Sequence, residues 1–121
     1  MAKRLGTIHD TSKAVDTDLF SSPFTYTAKV NPNLNQMKKL IIQISPATGA
    51  ANLRAIIVNT AASDTIVLGV MTTALYKYTY ELLWKAGDAV DFQYNGIAGP
   101  MKVNMIVLES DDININYHPI S

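Results

Sequence analysis

Residues 75–95 read LYKYTYELLWKAGDAVDFQYN, and this stretch decides the fold class. Tyr76, Tyr78, Tyr80, Leu82 and Trp84 occupy every second position, with Lys77, Thr79 and Glu81 between them. A period of two sends alternate side chains to opposite faces of a strand, whereas a helical face repeats every three or four residues. Lys85–Ala86–Gly87–Asp88 then supplies turn residues, with Asp88 suited to bonding nearby backbone through its carboxylate. Val90, Phe92 and Tyr94 resume the alternation, leaving Asp91 on the outer face.

The same pattern extends in both directions. Downstream, 101–109 (MKVNMIVLE) forms a long strand, and the tail 111–117 still alternates through Ile113, Ile115 and Tyr117. Upstream, 65–71 (TIVLGVM) is apolar on both faces, which predicts a central strand, with Gly69 marking a bulge or a close backbone approach. Residues 38–45 and 52–59 flank a Pro/Gly connector at 46–50 and read as an antiparallel hairpin. Phe24, Tyr26, Ala28 and Val30 alternate before the turn at Asn31–Pro32–Asn33. No window carries a helical stripe. The pattern predicts an all-β protein: a single antiparallel β-sandwich, jelly-roll-like, over residues 23–121.

Residues 1–22 have no usable period and read as an extended N-terminal arm. The chain has 121 residues, no cysteine and ten basic against ten acidic groups. That composition offers no thiol or zinc-ribbon chemistry and no global pull toward nucleic acid or an anionic membrane. Neutrality is uneven, however: residues 1–80 hold eight Lys or Arg against four Asp, and residues 81–121 hold two against six acids. In a compact β domain, distant segments of this kind neutralise one another. The basic Lys3–Arg4 pair is followed by polar sequence rather than an apolar run, so no signal peptide or transmembrane segment is expected.

Catalytic groupings are equally scarce. His9 and His118 stand alone, far from other metal-ligating residues in sequence. Glu81, Asp88 and Asp91 are the nearest to a carboxylate pair, yet turn and outer-face roles account for the two aspartates. Asp112, Asn114 and Asn116 have the spacing that opens a calcium loop, but Tyr117 stands where such a loop needs glycine. Gly96 and Gly99 lie between two strands and lack the strand-to-helix setting of a phosphate loop. We therefore expect no catalytic, cofactor-binding or metal-binding residues, and no enzyme.

The aromatic stripe Tyr76, Tyr78, Tyr80 and Trp84 admits three roles: core, protein interface, or a platform for sugar rings. Three tyrosines in succession favour a sheet edge or interface, because each buried hydroxyl needs a partner.

The stretch 78–95, in which an aromatic strand runs into a Gly-Asp turn and a Phe-x-Tyr strand, resembles small β-sandwich virion proteins of tailed phages, in particular head decoration proteins. The resemblance implies a capsid decoration (cement) protein, made in the host cytoplasm and located in the virion. It would bind the major capsid protein or other virion proteins in many copies, as a homo-oligomer with a trimer favoured. The expected interface comprises Lys3, Arg4, Leu5, Ile8 and Phe20 of the arm, reaching across a subunit boundary, together with Tyr76, Tyr78, Tyr80 and Trp84. The alternatives are a neck or tail virion protein, or a carbohydrate-binding module using the same aromatic face.

Overall fold

The computed structural model describes residues 3–26, 37–59, 62–85 and 87–110. The tail readings at 111–121, including His118 and the Asp112–Asn116 spacing, lie outside them, as do Ala28, Val30 and the turn at 31–33. Eight strands are present: β1 (Lys3–Lys13), β2 (Phe24–Thr25), β3 (Met37–Pro46), β4 (Ala51–Val58), β5 (Ser63–Met71), β6 (Tyr78–Lys85), β7 (Ala89–Asn95) and β8 (Met101–Ser110). They form two four-stranded antiparallel sheets, ordered β1-β8-β3-β6 and β2-β7-β4-β5.

This order has a simple construction. β4 pairs with β5, β3 with β6, β2 with β7 and β1 with β8, as in one long hairpin closed at the β4–β5 turn. Two further pairings, β3 with β8 and β4 with β7, roll that ribbon into two layers. A ribbon wound in this way is a jelly roll. The inner faces supply Leu40, Ile42 and Ile44 from β3, Leu53 and Ala55 from β4, Val90, Phe92 and Tyr94 from β7, and Val103, Met105 and Val107 from β8, all buried. The period of two in the sequence is thus the alternation between this shared core and solvent.

Three local expectations are corrected. β3 and β4 are not a hairpin, because the 46–50 connector carries the chain from one sheet to the other. β5 is an edge strand rather than a central one, and Val67 and Val70 are 65% and 50% exposed. Apolar residues on both faces have no bearing on position in a sheet when the outer face is left to solvent. Gly69 does both things expected of it. Leu53 pairs with Gly69 and Arg54 with Val67, which leaves Leu68 as the extra residue of a bulge. A Cβ on Gly69 would also lie 2.7 Å from the Tyr80 ring.

The third correction concerns residues 3–22, which are built into the sandwich rather than free. β1 pairs with β8 from Lys3 opposite Glu109 to Lys13 opposite Met101. The chain then crosses to the other sheet, where Asp16 and Leu19 donate backbone N–H bonds to the Tyr94 and Phe92 carbonyls. Leu19 is fully buried. The segment is a strap joining one edge of each sheet. The charge imbalance between the two halves also resolves in the fold, since Lys38 and Lys39 lie 3.2 and 3.4 Å from Glu109 and Glu81.

Candidate interaction surface

Opposite the strap, the sandwich is flanked by β5 and β6, and three tyrosines line this side. Tyr80 packs on the bare backbone of Gly69. Tyr78 stacks on Tyr80 with centroids 6.3 Å apart and rings nearly parallel, and Tyr76 meets Tyr78 edge-on at 4.9 Å. The alternating spacing produces this ladder directly, because residues two apart on a strand share a face. Only the outermost rung is well exposed, at 59% for Tyr76.

The loop 72–77 is fixed by the middle rung. The Thr73 amide donates to the Tyr78 hydroxyl at 2.7 Å, and the Thr72 hydroxyl lies 3.2 Å from it. The bond with Thr72 leads in lowering the Tyr78 phenol below its usual pKa, whereas burial, followed by the proximity of Tyr78, raises that of Tyr80. Leu75 adopts a left-handed backbone, φ 63°, and donates its amide to the Pro46 carbonyl at 2.7 Å. A leucine in that region carries a steric cost, which this bond offsets, and its side chain is 79% exposed. The loop therefore holds Leu75 and Tyr76 outward, and Ile66, Val67 and Val70 of β5 are exposed as well.

The residues expected at an interface divide into three groups. Lys3, Arg4 and Tyr76 are exposed. Leu5, Phe20, Tyr78 and Tyr80 are half-buried and pack against the core. Ile8 and Trp84 are core residues, 7% and 1% exposed, and present nothing to a partner. Trp84 shares a face with Tyr78 and Tyr80 but lies further along β6, over the sandwich interior, where the indole meets Tyr26 at 5.5 Å. The sequence reading found the 65–71 strand but placed it centrally, and so did not count its exposed side chains among the candidates.

The polar groups are dispersed. His9 lies with Thr7, Gln43, Ser45, Lys77 and Asn104 along an open groove of about 190 Å³ on the outer face of the first sheet. Glu81 belongs to the first sheet, Asp91 to the second, and Asp88 closes the β6–β7 turn by accepting the Lys85 amide at 3.0 Å. Among the described residues, no three His, Cys, Asp or Glu side chains are grouped to hold a metal ion, and no helix is long and apolar enough to cross a membrane. The sequence matches no protein-family model and no curated protein.

Burial, then the charge of Asp18 on the strap, raises Asp91 to a pKa of about 6. Gln93 donates to Asp18 at 2.8 Å, while Arg54 donates to Asp16 and Gln93 at 2.9 and 2.7 Å. A pKa raised in the folded state favours the protonated carboxyl, so its stabilisation is complete below about pH 4 and is lost as pH rises through 6. Asp91→Asn, which keeps this site neutral, is expected to stabilise the protein at pH 8 by on the order of 1 kcal/mol after solvent screening. The gain should vanish near pH 4. Thermal melts of both proteins across that range check it, and a gain independent of pH would assign the effect to something other than this carboxylate.

Proposed function

We propose that this chain is a non-enzymatic structural protein that works by adhesion, as a decoration protein on an assembled viral shell. The observation that supports this reading is the β5 side of the sandwich. It combines a strand edge without charge from Thr65 to Met71, a tyrosine ladder, and a loop fixed with Leu75 and Tyr76 outward. Large exposed apolar side chains gathered on one side of a stable domain are the chemistry of a protein-protein interface. Tyrosine suits such a surface, because it contributes apolar area while its hydroxyl stays hydrated. On this reading, the sandwich is the rigid mount and the β5 side the adhesive face. The resemblance of residues 78–95 to virion sandwiches supplies the class of partner, the major capsid protein.

The test is co-sedimentation of the purified chain with assembled shells of the virion it comes from. Saturable pelleting is expected, at a fixed number of copies per shell, and Leu75→Asp with Tyr76→Asp is expected to weaken it at least about tenfold. A chain that stays in the supernatant at saturating shell concentration overturns the reading. Retention on a glycan array that is lost with Tyr76→Ala would instead establish the sugar-binding alternative, for which Tyr76 is the most exposed ring of the ladder.

A further inference from the structure

Each sheet edge presents a different surface. β1 carries Lys3, Arg4 and Lys13 and two register shifts, after Arg4 and after Ile8. β2 has two residues, and beyond it Leu19 and Asp16 occupy the rim of β7 through their backbone bonds. β6 carries Glu81 and Lys85. Charges, bulges and short strands are the devices that stop sheet edges from adding foreign strands. β5 is nine residues long, has its one charge at Asp64, and, among the described residues, pairs with no strand on its outer side. It shares one of these devices, the bulge at Leu68, but carries no charge from Thr65 to Met71.

We propose that β5 pairs with β5 of a second copy, antiparallel across a two-fold axis at Val67, to make one continuous eight-stranded sheet. The proposal rests on the reading of the β5 side as an interface and specifies what occupies its strand edge. Val67 is the midpoint of Ser63–Met71, so an axis there overlaps the whole strand with its copy. A two-fold contact requires the same surface on both copies, and a run without charge from Thr65 to Met71 meets itself without repulsion. The charge at Asp64 favours the antiparallel direction, which carries it toward the partner's Val70–Met71 end; a parallel pair would set the two carboxylates side by side. Val58, Ile66, Val67, Val70, Leu75 and Tyr76 together expose on the order of 500 Å² per copy. Buried in full, two such sets would approach the roughly 1,200 Å² at which specific interfaces begin. The self-associating unit is then a dimer rather than the trimer that the resemblance implies.

The absence of cysteine makes the test direct. Light scattering on the full chain at about 100 µM should give twice the 13.2 kDa monomer mass. Facing residues on an antiparallel axis have Cα atoms about 5 Å apart, within disulfide range. Val67→Cys should therefore oxidise to a covalent dimer, while Ser63→Cys, at the far end of the strand, should not. Val67→Lys should raise the dimer dissociation constant at least about tenfold, with circular dichroism confirming the fold. A monomeric or trimeric wild type, or equal cross-linking of both cysteine variants, overturns the pairing. A wild-type monomer that still pellets with shells overturns the pairing alone, and a cross-linkable dimer that never pellets overturns the shell reading alone.

Discussion

A chain beginning at residue 23 is expected to lose cooperative folding, because residues 3–22 hold both sheets at once. Truncation removes the β1–β8 ladder and leaves β8 as a bare edge over Val103, Met105 and Val107. It also removes Ile8 and the fully buried Leu19, each contributing about 2 kcal/mol through burial. The strap's bonds to β7 go with them, among them the one that the Tyr94 hydroxyl donates to the Lys13 carbonyl. A combined loss of more than about 5 kcal/mol meets the whole stability of an ordinary domain. Far-UV circular dichroism and thermal denaturation read the outcome directly. Leu19→Ala should fold but lose about 2–5 kcal/mol. A truncated chain that melts cooperatively at the wild-type temperature would show that the strap is dispensable. An arm that merely reached across to a neighbouring subunit would leave stability unchanged on removal.

Trp84→Ala is the most damaging single substitution expected. The indole is 1% exposed, packs on Tyr26 and lies on the β6 face that meets the core, so its removal leaves a large cavity. The loss should be about 3–5 kcal/mol, lowering the melting temperature by roughly 10–20 °C. Trp84→Phe should cost far less, because among the described residues the indole Nε1 has no hydrogen-bond partner that the substitution would deprive. As the lone tryptophan, Trp84 should also give blue-shifted fluorescence that moves red on unfolding. A mild Trp84→Ala variant with red-shifted native emission would place the indole at the surface.

Strap and stripe show why the sequence was legible in some places and not in others. Strand β1 has no visible period because register shifts after Arg4 and after Ile8 reset which side chains face inward. A bulge costs one step of the alternation, and two of them within eleven residues erase the pattern altogether. In the tyrosine stripe the period is intact, yet its ends have different fates. Trp84 lies deep between the sheets and Tyr76 lies beyond the end of β6. Alternation assigns a face to each residue and says nothing about how far along that face the partner sheet extends. Strand β5 presents the same problem in another form, since an aliphatic run looks alike in the middle of a sheet and at its rim.

The sequence by itself determined that the chain is made of strands, where most of them lie, which face turns inward in those that alternate, and that Gly69 is a special backbone position. Those properties are local, set by a period of two and by turn residues. The tertiary structure alone decided which strands are neighbours: β1 beside β8, β3 and β4 in opposite sheets, β5 at a rim. Strand pairing is made by backbone groups that every residue carries, so its specificity comes from how all the apolar faces close over a common core. That closure turned a periodless segment into a strap and left one uncharged edge open beside the tyrosines.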